Sequence, residues 1–306
     1  MKFQRIACVD NVNLTPEAYK RLAKLSKVEF IPCLADPKDT AQLTQQVDGA
    51  DCLLVSWRTR VDEEVMARLP ALRYIGLCAS KYTNPEEGNI DLEAARRRGI
   101  TVSAVGQYGD EATAEFIFCV LLNLFRGMQP TRWSDTACEL HGKSLGIIGM
   151  GAMGQHVLKR AIGFGMDVHY YSRTRKPESE QLGARYASKT EVLAASDIIS
   201  LHVPKGISAM TADDFSTMRP RSVLINTCLG IVFAPQDLED WLNSPSHFAV
   251  MDESADESYR KFRSRTNVIY PNVVAGRTAE SRQRLSIQVL DNVEAFLTGI
   301  PQNVIN

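Results

Sequence analysis

Short apolar runs recur along the chain, separated by stretches whose apolar positions follow a helical period. In the first third, residues Arg5 to Val9, Val28 to Cys33, Cys52 to Val55, Arg73 to Leu77 and Ile100 to Ser103 read as strands. The pattern resumes with Ser144 to Ile148, Asp167 to Tyr171, Asp197 to Pro204, Ser222 to Thr227, His247 to Met251 and Asn267 to Tyr270. Strands that alternate with helices require parallel layers with the helices on the faces of the sheet. The fold class expected is therefore α/β, with two doubly wound parallel-sheet domains and a cleft between them. A long helix is predicted over Asp110 to Arg126, and a last amphipathic one places Leu285, Val289, Val293 and Leu297 on one seam. No low-complexity linker divides the halves, so the helix after Asp110 is expected to cross between them.

Composition narrows the partners. The 306 residues are 44% hydrophobic and 23% charged, enough to bury a substantial core. A formal net charge of −1 gives no electrostatic reason to expect nucleic acid or an anionic membrane. The densest apolar run, Phe116 to Phe125, is too short to span a bilayer and reads as a buried helix. Seven cysteines without a CxxC pair or a secretory signal read as reduced thiols in a cytoplasmic protein, and suggest no metal site.

Chemistry enters at LGIIGMGAMG, Leu145 to Gly154, where an apolar strand runs into a GxGxxG turn. Gly149 permits the tight turn, Gly151 leaves room for a pyrophosphate, and Gly154 lets the helix pack close to the sheet. The phosphates would lie on the helix N-terminus around Ala152 and Met153, where free N–H groups and the helix dipole favour negative charge. At the end of the next strand, where a carboxylate would bind the ribose hydroxyls of NAD, stand Ser172, Arg173, Thr174 and Arg175. A hydroxyl and guanidinium groups accept a 2′-phosphate that a carboxylate would repel. The cofactor expected is NADP(H), with NAD(H) possible.

Taken in order, the motifs NIDLEAARRRGITV (Asn89 to Val102), GDEATAEF (Gly109 to Phe116), GKSLGIIGMGAMGQ (Gly142 to Gln155), LHVP (Leu201 to Pro204), MRPRSVLINT (Met218 to Thr227), AGRTAES (Ala275 to Ser281) and the final NVIN resemble the D-isomer-specific 2-hydroxyacid dehydrogenase family. The resemblance implies a discontinuous, flavodoxin-like substrate domain, residues 1–104 with 285–306, and a Rossmann nucleotide domain, residues 105–284. It also implies a homodimer joined through the helix after Asp110. His202, Val203, Pro204, Thr227, Cys228, Leu229 and Asp252 are implied to flank the cofactor. Members of the family pass a hydride between nicotinamide and C2 of a 2-oxo or 2-hydroxy acid. A histidine handles the proton, a glutamate orients the histidine, and an arginine grips carboxylate and carbonyl.

The departures fall on those three residues and on the substrate loop. The family arginine follows the strand in an INTARG pattern, whereas INTCLG puts Leu229 there. The histidine of TPHIAG is replaced in YPNVVAG by Asn272 or Val273, depending on where the extra valine is placed. The glutamate is retained only if Glu257 fills its place, five residues beyond Asp252. The loop before NID is lengthened to CASKYTNPEEG, whose Lys81 and Tyr82 can replace lost polar contacts. The segment after LHVP, Lys205 to Phe215, is shortened. Loss of a general acid costs about 10²–10⁴ in rate, so a small-molecule substrate other than a simple 2-oxo acid is expected: a carbonyl, imine or activated alkene. The proton would come from Tyr82, Lys81, Tyr108, Tyr270 or water, with His202 a lesser candidate. A catalytically silent NADP(H)-binding regulator is the alternative, and a 2-hydroxyacid dehydrogenase with a rearranged site ranks third.

Overall fold

The computed structural model describes residues 1–32, 35–81 and 88–306. Its strands are β1 (Ile6–Cys8), β2 (Cys52–Val55), β3 (Tyr74–Ser80), β4 (Thr101–Val105), β5 (Ser144–Ile148), β6 (Asp167–Tyr171), β7 (Arg185–Tyr186), β8 (Ile198–Leu201), β9 (Val223–Asn226), β10 (Phe248–Met251) and β11 (Val268–Ile269). They form two sheets in two compact units. The first unit is Met1–Tyr108 with Ala279–Asn306, and the second is Gly109–Thr278. These bounds differ by a few residues from those expected, because the last helix already starts at Ala279 and belongs whole to the first unit.

In the first unit the parallel order is β1-β2-β3-β4, and side-chain alternation assigns each face its own helices. Ile6, Cys8, Cys52, Leu54, Tyr74 and Cys78 pack with Leu22, Leu285, Val289, Val293 and Leu297. The intervening residues Ala7, Val9, Leu53, Val55, Ile75 and Leu77 pack with Leu43, Val65, Met66 and Ala94. The predicted strand Val28 to Cys33 is corrected: up to Pro32 it makes only an isolated bridge to β1, with Cys8 N–H donating to Ile31 at 2.9 Å and Ile31 N–H to Ile6 at 3.0 Å. The next residue whose N–H would face β1 is Cys33, which lies outside the described residues. The position of this segment beside β1 is that of a flavodoxin-like edge.

The second unit carries the order β11-β10-β9-β8-β5-β6-β7, all parallel, and the progression of strand order reverses between β5 and β8. One face packs Leu145, Ile147, Val168, Tyr170, Ile225 and Val250 with Ile117, Leu121 and Leu124 of the helix Asp110–Arg126. The other packs Ile148, Ile199, Leu201, Leu224 and Met251 with Val192, Phe215 and Leu238. Gly146 faces this second layer. A Cβ there would stand 2.6 Å from Ile199 Cδ1 and from Ser196 Oγ, so the helix Lys189–Ala195 rides directly on β5. The short edge strand β7 escaped the hydrophobic pattern because both its residues are exposed. Among the described residues no helix is long and apolar enough to cross a membrane, and no group of three or more His, Cys, Asp or Glu is placed to hold a metal ion.

Candidate functional site

In open parallel sheets, ligands gather beyond the carboxyl ends of the strands, where strand order reverses. In the second unit that place lies between the turn after β5 and the segment after β8, and its spacing is set by glycines. Gly149 has φ +101°, and a Cβ on it would lie 2.2 Å from the His202 carbonyl oxygen, so only glycine lets the two segments touch. The crossing is tied by Gly149 N–H to Tyr171 O and His202 N–H to Ile148 O, each 2.8 Å. A Cβ on Gly154 would stand 2.3 Å from Gly149 O, which fixes the approach of the helix Ala152–Gly163. Around Gly151, by contrast, a Cβ would meet nothing within 4 Å. Gly151 is also the helix N-cap and supplies no side-chain acceptor to the first turn. An uncapped helix start facing open space beside two closed glycines fits the pyrophosphate of a dinucleotide.

Beyond β6, Ser172 Oγ donates to Thr174 O at 2.6 Å and stiffens the loop. Its two arginines differ. Arg175 is forked onto Glu180, Nε to Oε1 at 2.7 Å and Nη2 to Oε2 at 2.6 Å, and lies over the Tyr186 ring. This pairing holds the Glu180 carboxyl below its ordinary range. Tyr170 Oη, which accepts from Lys176 N–H at 2.6 Å, donates to the same carboxylate at 3.0 Å. Arg173 is exposed and forms no ion pair among the described residues.

After β8, His202 is buried, with Nε2 2.9 Å from Ser200 Oγ. Desolvation lowers its pKa to about 3, so the ring is neutral at physiological pH and packs as a wall rather than acting as an imidazolium acid. Val203 and Pro204, half-buried, continue that wall. After β9, Cys228 N–H donates to Asn226 Oδ1 at 3.0 Å and its thiol to Leu201 O at 3.2 Å. Burial pushes the Cys228 thiol up to about 12, so it is no nucleophile at neutral pH. Thr227 and Leu229 on either side are half-buried.

Asp252, the residue after β10, is fully buried. One oxygen accepts from Ala275 N–H at 2.7 Å, and the other accepts from the Ser254 hydroxyl and N–H. It therefore pins the segment after β11 to the turn after β10, and burial still raises its pKa. Asn272 and Val273, on that pinned segment, are exposed. Glu257 opens a 3-10 helix, Glu257–Ser264, with its side chain 83% exposed and its nearest cation, Arg260, at 4.0 Å. Glu253 is the more enclosed carboxylate, 17% exposed and paired with Arg263 and with Arg260 at 3.9 Å. Sequence reasoning passed over it because only the folded turn brings those arginines back. Lys81 is exposed at the end of β3 in the first unit, its N–H donating to Val105 O at 3.2 Å. Tyr82 lies outside the described residues. The second unit thus gathers the glycine turn, Ser172 to Arg175, His202 to Pro204, Thr227 to Leu229, Asp252 and Asn272 along one sheet edge, but leaves Glu257 in solvent.

Comparison with known proteins agrees with this architecture. The profile of the D-isomer specific 2-hydroxyacid dehydrogenase NAD binding domain matches residues 122–274. Over 316 aligned residues the chain is 34% identical to a glyoxylate reductase of Thermococcus litoralis, across 94% of this chain and 92% of that protein. A solved protein of Thermus thermophilus superposes with a TM-score of 0.83 at 28% identity, covering 99% of this chain and 100% of the other. An acyclic imino acid reductase solved in complex with NADPH and D-Arg also gives 0.83, at 24% identity and with the same coverage, a likeness of fold alone. Built on a nicotinamide-nucleotide fold and matched along nearly its whole length, the chain belongs to the D-isomer-specific 2-hydroxyacid dehydrogenase family of oxidoreductases.

Proposed function

We propose that this protein is an NADPH-dependent reductase acting on a carbonyl, imine or activated alkene other than a simple 2-oxo acid. One observation carries the reading: beside an intact dinucleotide cradle, the positions of the family's arginine and histidine hold Leu229 and Asn272 or Val273. The cofactor, when bound, supplies the hydride. Gly149 to Gly154 hold its pyrophosphate, Ser172 to Arg175 its adenosine side, and His202 to Pro204, Thr227 to Leu229 and Asp252 wall the nicotinamide side. Leu229 offers neither charge nor donor, so the wall suits a less anionic reacting centre. An amide at Asn272 donates or accepts a hydrogen bond but releases no proton at neutral pH. The proton must then come from another group or from water. Imine reduction on this scaffold has a parallel in the imino acid reductase that shares its fold.

The test follows absorbance of reduced nicotinamide with purified protein against panels of 2-oxo acids, ketones, imines and enones. Consumption of NADPH with a member of the last three panels is expected. Turnover of glyoxylate or pyruvate at rates typical of reductases would sink the reading. A second reading, a silent NADP(H)-binding regulator, draws support from His202 being neutral and buried while Glu257 faces solvent. Tight NADPH binding with silence across every panel would select it. We further propose a homodimer formed through the helix Asp110–Arg126, on which the apolar Phe116, Cys119 and Leu122 keep exposed or half-exposed faces. Sedimentation at two concentrations tests that state.

A further inference from the structure

With Leu229 in the arginine's position, the site lacks its usual cation, but the second unit places another one beside it. β8 and β9 run parallel with Leu201 opposite Asn226, and Lys205 and Gly230 stand equally far beyond that pair. A Cβ on Gly230 would lie 3.3 Å from Lys205 Cγ and 3.8 Å from Cε, so the lysine stem lies along the backbone of the residue next to Leu229. Gly230 has φ +76° and is bridged to Ala255, which fixes the platform under the lysine. Arg260 and Arg263, on the 3-10 helix that follows β10, are turned to Glu253, whereas Lys205 is exposed and has no carboxylate partner among the described residues.

We propose that Lys205 is the anion-binding residue of this site, holding a substrate carboxylate in place of the guanidinium that Leu229 does not supply. The exchange changes the substrate class. Arginine presents a planar fork that grips a carboxylate and an adjacent carbonyl together, which favours 2-oxo acids. An ammonium is a point charge on a flexible stem, holding one carboxylate oxygen and leaving the reacting carbon free. The substrate class that follows is a carboxylate-bearing compound whose reducible carbon is set apart from the acid group. This assignment rests on the reductase reading above, and it narrows that reading.

The experiment measures anion binding without turnover, by titrating succinate into the protein·NADPH complex at fixed ionic strength and following heat or nicotinamide fluorescence. Wild type is expected to bind succinate more tightly than oxamate, the mimic of a 2-oxo acid. Lys205→Met should weaken succinate about ten-fold or more, and Lys205→Arg should keep it within about three-fold, with NADPH affinity changed by less than about two-fold in both. The proposal is overturned if wild type binds no succinate, if it prefers oxamate, if Lys205→Met binds succinate like wild type, or if Lys205→Met loses NADPH affinity in equal measure. Because the readout is equilibrium binding, its failure leaves the reductase reading standing. Conversely, silence in every turnover panel with succinate binding intact would remove the reductase and leave the lysine site.

Discussion

The two sides of the second unit's sheet edge obey different constraints. On the β5–β6 side the requirements fall on the backbone: Gly149 and Gly154 lack side chains because carbonyl oxygens occupy the space a Cβ needs, at 2.2 and 2.3 Å. On the β9–β11 side they fall on side-chain chemistry, and the residues present are Leu229, Asn272 and Val273. Backbone geometry admits few substitutes, whereas a proton donor or an anion clamp can be supplied from another position on the same edge. A fold of this kind can keep its cofactor half while its reaction half changes.

The strongest way to break that contrast is at the glycines. Gly149→Ala forces a methyl against His202 O at a φ of +101° and should prevent the turn from forming. The expected outcome is loss of NADPH binding by at least about 100-fold, or no soluble folded protein. Gly151→Ala is the informative partner, since its Cβ meets nothing within 4 Å. It should fold with wild-type thermal stability yet bind NADPH about ten-fold or more weakly, the methyl standing where the pyrophosphate approaches. Wild-type affinity in Gly151→Ala would mean that the open space is not the phosphate cradle.

On the opposite side, restoring the family's chemistry should restore its substrate. Leu229→Arg combined with Asn272→His is expected to raise kcat/KM for glyoxylate by about 10²-fold, the low end of what a positioned general acid supplies. Asn272→His and Val273→His, compared in the Leu229→Arg background, decide which position belongs to the histidine. No gain with either would place the obstacle elsewhere in the pocket.

His202 sharpens the comparison from the wall between the two sides. Its folded pKa of about 3 lies below the ordinary 6.5, so the unfolded chain binds the proton first. Stability from this group is complete above about pH 6.5 and falls as pH drops from there toward 3, by about 1.4 kcal/mol per unit. Between pH 6.5 and pH 5 the loss is roughly 2 kcal/mol. Urea unfolding across that range should be less pH-dependent in His202→Gln by that amount. An unchanged slope would mean that the imidazole is not desolvated in the folded protein.

What the sequence disclosed follows the same division. Fold class and the glycine turn were legible because strand alternation, helical period and the GxGxxG spacing are local, and Asp110–Arg126 formed over the predicted span. The segment from Val28 misled because apolar content suggests a strand, whereas up to Pro32 a single bridge ties it to β1. Contacts that join separate loops left no local signal. Lys205 meets Gly230 only where the segments that follow β8 and β9 come together, and Glu253 meets Arg263 only after the 3-10 helix turns back.

The smallest expected effect concerns the two arginines that were equivalent in sequence and are not in structure. Arg175 is forked onto Glu180 at 2.6 and 2.7 Å, so accepting a 2′-phosphate means sharing or breaking that pair. Arg173 has no such tie among the described residues. A charge-assisted contact at an exposed site contributes on the order of 1 kcal/mol, so Arg173→Ala should lower the ratio of NADPH to NADH affinity by about five- to ten-fold. Arg175→Ala should lower it by less than about three-fold, and Glu180→Gln, which frees Arg175, should raise it. Fluorescence titration with both cofactors separates the outcomes. Equal losses at the two arginines would show that the ion pair yields to the phosphate. An unchanged ratio in both would show that Ser172 and the backbone of the loop, not the guanidinium groups, face the ribose.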